Sequence, residues 1–147
     1  MKELYKLPLQ EKNKITEKII TTLKDRGEVS FAYLFGSFID DVGIPFRDID
    51  IGIFLQPEIV SPQDSFDYEN KLAEDLSKKF SFPVDRLDIK ILNFTSVNFQ
   101  NSVYSRGKLL FAKDKEFFAN IVENTSLEAV HNYDFVQQSL RELTNVK

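Results

Sequence analysis

The segment Arg47-Asp48-Ile49-Asp50-Ile51-Gly52-Ile53-Phe54 alternates polar with apolar residues, and it restricts the possible fold more than any other part of the chain. Read as a strand, it sends Ile49, Ile51 and Ile53 to one face and both aspartates to the other. The two carboxylates then project side by side. Like charges at that spacing raise the pKa of at least one of them unless a cation lies between, and a hard divalent metal is such a cation. Upstream, Gly36-Ser37 closes a separate apolar run, Val29–Phe35, which has the pattern of a buried strand. Glycine lets a backbone approach a ligand closely, and the exposed N–H groups of such a turn, with a serine hydroxyl, form a small anion-binding nest. An anion grip and a metal pair are therefore expected on neighbouring strands, and the short link from 36 to 48 allows the two strands to pair antiparallel.

Two aspartates alone rarely hold two metal ions and an attacking oxygen, so a third carboxylate is expected. The run Arg86-Leu87-Asp88-Ile89-Lys90-Ile91-Leu92 again alternates, with Asp88, Lys90 and Leu92 on one face and Leu87, Ile89 and Ile91 on the other. Strand phase favours Asp88 over Asp85, which follows Pro83 at the point where the strand begins.

Helical spacing marks residues 9–26 (Leu9, Ile15, Ile19, Leu23, with Gly27 as the stop) and 63–80 (Phe66, Leu72, Ala73, Leu76, Phe80). Strand 84–92 follows, then a helix over 96–105, an edge strand at 109–111, and one long helix or two from Phe117 onward, with a looser pattern near Asn124-Thr125-Ser126. Strands joined by helices imply an α/β (α+β) layer with a mixed sheet packed against helices. At 147 residues, 42% hydrophobic with 14 Phe, the chain is expected to form a single domain over 1–147 with one core.

Composition narrows the chemistry further. With no cysteine there are no disulfides or thiolate metal sites, and one histidine cannot form a histidine metal cluster. His131 reads as a surface or interface residue, while Tyr133 and Phe135 read as packing residues. The Asp40-Asp41 pair lacks the other ligand positions of a calcium loop. A net charge of −4 argues against stable nucleic-acid binding, which needs clustered cations. The absence of a long apolar stretch predicts no membrane segment, and a cytoplasmic location is the default expectation.

Gly36-Ser37, ten residues, Asp48-x-Asp50 and the later Asp88 together resemble the nucleotidyltransferase fold of the DNA polymerase β superfamily, and more narrowly the minimal nucleotidyltransferase (MNT) antitoxins. Ala32–Ser37, Leu87–Asn93, Arg106–Phe111 and His131–Phe135 resemble that family as well. The resemblance implies a metal-dependent transfer of AMP from ATP, with two Mg²⁺ ions held by Asp48, Asp50 and Asp88 and the terminal phosphates gripped by Gly36 and Ser37. It also implies a partner: such proteins are typically antitoxins that add AMP to a tyrosine of a HEPN ribonuclease toxin. One departure stands out. Where the family often places Arg or Lys after Gly-Ser, this chain has Phe38-Ile39-Asp40-Asp41-Val42-Gly43, which leaves Arg47 and Lys90 as candidate phosphate neutralisers. The alternatives are a stand-alone adenylyltransferase acting on small hydroxylated compounds, and a binding antitoxin that works by occlusion alone.

Overall fold

The computed structural model describes residues 4–40 and 44–145; Asp41, Val42 and Gly43 of the segment after Ser37 lie outside them. A mixed four-stranded sheet forms the centre of the α+β fold, in the order β3-β2-β1-β4. β1 (Val29–Phe35) pairs antiparallel with both β2 (Ile49–Leu55) and β4 (Lys108–Ala112). β3 (Leu87–Ile91) lies parallel to β2. Parallel neighbours need a crossover, and α2 (Ser65–Phe80) supplies it.

Helices cover both faces of the sheet. On one, α1 (Leu9–Lys24) and α2 bury Ile15, Ile19, Leu23, Leu72 and Leu76 against Ile49, Ile51 and Ile53. The first turns stay out of this core, since Leu9 and Phe66 are exposed. On the other face, α3 (Val97–Arg106) and α4 (Lys115–Asn145) cover an aromatic cluster of Phe31, Tyr33 and Phe54, in which Phe31 stacks on Phe54 at 4.8 Å. This double cover corrects the expected polar face of β2. Asp50 is half-buried, but from Gly52 onward the same face lies under Leu92 and the aromatic cluster.

Other boundaries move for local reasons. Residues 84–86 form a one-turn 3-10 helix, so β3 starts at Leu87, and Leu92 leaves the strand to become fully buried in a second such turn. Ser96 accepts from the Phe99 N–H and caps α3. Residues 115–145 form one helix, continuous through Thr125, whose hydroxyl donates to the Ile121 carbonyl at 2.8 Å. Tyr133 and Phe135 do not pack: both are exposed, as is His131. Among the described residues no helix is long and apolar enough to cross a membrane.

Candidate active site

The sheet register brings the predicted carboxylates to one end of the sheet. Asp50 lies opposite Asp88 across the parallel β2/β3 pair and opposite Phe35 across the antiparallel β1/β2 pair. Gly36 therefore leaves β1 directly beside the Asp50 side chain. Its φ of +75° is a left-handed conformation, and a Cβ at this position would overlap Asp50 Oδ2. Both constraints require glycine. The chain then turns through a single 3-10 turn, Ser37–Ile39, with Phe38 buried beneath it.

Lys12 holds that turn from below, a contribution that sequence patterning does not indicate. Its buried ammonium donates to the Phe38 carbonyl at 3.0 Å and the Asp40 carbonyl at 3.4 Å, and it lies over the Phe38 and Phe46 rings. Such donors satisfy carbonyls that a one-turn helix leaves without partners. Arg86 does similar work on the other side. Buried against the Tyr5 ring at 5.0 Å, it donates to the Arg47 carbonyl at 3.0 Å and so fixes the backbone just before Asp48.

The electrostatics of this end are repulsive. Asp50 is pushed up to about 6 by burial, then by the charges of Asp88 and Asp48 and by a hydrogen bond with Asp88, with Lys90 opposing. Lys90 Nζ stands 3.7 Å from Asp88 Oδ1, and both side chains are half-exposed. Arg47 is exposed. Among the described residues, no set of three or more carboxylate, histidine or cysteine side chains stands as a ready-made metal cage. The donor chemistry nevertheless suits a hard dication, because the charges of Asp88 and Asp48 bear on Asp50 and such an ion relieves that repulsion.

Beside Gly36 opens a cavity of about 350 Å³ lined by Phe35, Gly36, Asp40, Phe99, Ser102 and Arg106, among others. Phe35 and Phe99 meet edge to face at 5.6 Å in its wall. Arg106, the last residue of α3, brings an exposed guanidinium to this cavity. It sets a cation in the same cavity wall as Gly36, whereas the segment Phe38–Gly43 carries none. Only tertiary structure reveals it, since seventy residues separate Gly36 from Arg106. A larger cavity of about 570 Å³, lined by residues of α1 and by Lys79, contains none of these groups.

Comparison with known proteins bears on the fold and the family. Among solved structures, the tri-AMPylated Shewanella oneidensis HEPN toxin in complex with MNT antitoxin contains a chain that is 20% identical, with a TM-score of 0.64 over 90% of this chain and 98% of that chain. The toxin–antitoxin MntA–HepT matches at 20% identity and a TM-score of 0.56, over 90% of this chain and 96% of that chain. A toxin–antitoxin with AMP-PNP matches at 20% identity and 0.57, over 88% and 95%. At these identities the likeness establishes the fold. No curated protein matches the sequence. The family model for polymerase beta, nucleotidyltransferase, spans residues 17–116, from within α1 to the start of α4 and across all four strands. The chain belongs to the polymerase beta nucleotidyltransferase family.

Proposed function

We propose that this protein transfers AMP from ATP to a tyrosine hydroxyl of a HEPN toxin and so acts as the antitoxin of the pair. The observation that carries the reading is the register match of Asp50 with Asp88, two residues after Asp48 and against the Gly36 turn. Support for the partner comes from the similar solved structures, which pair this fold with HEPN toxins, one of them tri-AMPylated and another with AMP-PNP.

Asp48, Asp50 and Asp88 would hold two Mg²⁺ ions, which when bound supply positive charge to the triphosphate oxygens and acidify the acceptor hydroxyl. The chain's own groups do the rest. Gly36 and Ser37 take the terminal phosphates through backbone N–H groups and the hydroxyl, and Arg106 adds the charge-assisted contact that the acidic segment after Ser37 cannot provide. Phe35 and Phe99 give the nucleoside an apolar wall. Asp88, half-exposed and reachable from solvent, takes the acceptor's proton. The acceptor oxygen bonds to the α-phosphorus, the bond from that phosphorus to the bridging oxygen breaks, and pyrophosphate leaves.

The test is transfer of labelled AMP to the HEPN partner in the presence of Mg²⁺. Asp48→Asn combined with Asp50→Asn is expected to lower transfer at least ~100-fold while the circular-dichroism spectrum stays unchanged. Full activity in the double variant overturns the assignment.

A further inference from the structure

α4 is 31 residues long, about 46 Å at 1.5 Å per residue, roughly twice the length of a seven-residue strand of the sheet it packs against. Only its first half has a place in the core, where Phe117, Phe118 and Ile121 pack on the aromatic cluster and Thr125 is buried. None of residues 126–144 is buried. Yet Leu127, Val130, Tyr133, Val136, Leu140 and Leu143 lie in this stretch, each with between 51% and 72% of its surface exposed. Soluble monomers rarely leave a contiguous apolar strip of this kind in water.

The strip has a period. Ser126, Ala129, Tyr133, Val136, Leu140 and Leu143 follow each other at spacings that alternate between three and four residues, the seam of a two-helix coiled coil. Beside the seam stand Thr125, Asn132 and Ser139 on one side and Val130, Gln137 and Thr144 on the other, none of them charged. Glu128, Asp134, Arg141 and Glu142 lie further round the helix. Two identical seams can thus meet without like charges in contact.

We infer that residues 126–143 form a dimerisation surface on which a second copy of the chain docks antiparallel. With the two-fold axis between Asp134 and Phe135, Leu143 falls opposite Ser126, Leu140 opposite Ala129 and Tyr133 opposite Val136, each contact occurring twice. Every layer pairs a large side chain with a smaller one, as interdigitating helices require. A parallel pairing would instead set Tyr133 against Tyr133 and Ala129 against Ala129, crowding one layer and leaving another empty. A one-heptad shift of the antiparallel pairing loses layers and opposes Tyr133 to Leu143. The seam and the positions beside it offer on the order of 700 Å² per copy, against ~600 Å² per partner where stable interfaces begin. The net charge of −4 opposes association at a distance, so salt should strengthen the dimer.

Sedimentation equilibrium of the full chain up to about 100 μM, at about 0.15 M and 0.5 M salt, tests this. A mass twice the 17.1 kDa chain is expected, more populated at the higher salt. Leu140→Glu, at an exposed position, should weaken the dimer at least ~100-fold with the helical spectrum retained. Because the chain has no cysteine, Ala129→Cys with Leu140→Cys reports orientation. These positions lie ~16 Å apart within one helix, too far to bond to each other, and should oxidise to a disulfide-linked dimer. A single-chain mass at every concentration, a dimer that Leu140→Glu leaves unchanged, or no crosslink overturns the proposal. In the first case the seam is left to a helix of another protein.

Discussion

The two ends of the central sheet treat charge in opposite ways. At the end where β1 begins, anions and cations are matched. Arg26 bonds Asp75 at 2.5 Å and stands 3.6 Å from Glu28, which also accepts from the Tyr68 hydroxyl at 2.9 Å. Burial pushes the Glu28 carboxyl up, but its backbone N–H, Tyr68 and Arg26 together bring it below its ordinary value. Nearby, the Asn93 amide closes the end of β2, accepting from the Leu55 N–H and donating to its carbonyl, both at 2.9 Å. At the opposite end Asp88 and Asp48 act on Asp50, Lys90 pairs with Asp88 at 3.7 Å, and Asp50 rises to about 6. A fold that pairs its charges so closely at one end and sets carboxylates against each other at the other gives up stability at the second, the end to which the proposed function assigns the chemistry.

The largest expected effect breaks the crowded end without removing a carboxylate. Gly36→Ala places a methyl group into Asp50 Oδ2 and forces an L-residue to a φ of +75°, at a backbone cost of about 1–2 kcal/mol. Either the turn or the carboxylate must move, and a displacement near 1 Å at a reacting centre is enough to cost ~100-fold. AMP transfer should fall by at least that factor, while thermal unfolding shifts by only a few degrees. If the activity loss merely tracks the stability loss, Gly36 is a folding residue and not part of a phosphate grip.

How much of this contrast the sequence displays depends on whether the responsible contacts are local. β1 is legible to the residue, because a run of apolar residues ending in Gly-Ser has few other readings, and the alternation of Leu87–Ile91 puts Asp88 within a strand, although β3 starts at Leu87 and not at the expected 84. The helix order is legible for the same reason, through periodicity. Other features depend on what packs from elsewhere. The second face of β2 is alternating in pattern but covered in fact, because Leu92, Phe117 and Phe118 arrive from distant segments. Lys12 and Arg86 carry no signal in the sequence, and only the fold buries them under carbonyls and an aromatic ring. Tyr133 and Phe135 read as core because their residue types are core types; their exposure follows from α4 outrunning the sheet.

A smaller effect sharpens the comparison by relieving the repulsion. Asp50→Asn removes the charge that Asp88 and Asp48 oppose, so the variant should be more stable than the parent while transfer is lost. The sign follows from the raised value. A carboxyl at about 6 in the folded chain and 3.8 outside it carries its full cost above pH 6, and sheds that cost as pH falls from 6 toward 3.8. The gain in unfolding free energy, on the order of 1–2 kcal/mol at pH 7.5 for a group this open to water, should therefore shrink steadily toward pH 4. Added MgCl₂ should raise the melting temperature of the parent at pH 7.5, where Asp50 is ionised, and much less at pH 5. Melting curves of parent and variant across that range decide it. A gap independent of pH means that Asp50 is not the repelled group.

The smallest effect belongs to the matched end. Arg26→Ala removes two ion pairs and a guanidinium 6.0 Å from the Tyr68 ring, but Asp75 is half-exposed and Glu28 keeps its Tyr68 hydroxyl bond, so neither anion is left stranded in the core. Pairs this open to water contribute about 1 kcal/mol or less, and added salt weakens them further. The melting temperature should drop by no more than about 4 °C, by less at high salt, with AMP transfer unchanged. The prediction is useful because its two readouts separate the ends of the sheet. A fall in transfer at constant fold would mean that the paired end communicates with the carboxylates through β1 and β2, and the division between a stabilised end and a reactive one would then fail.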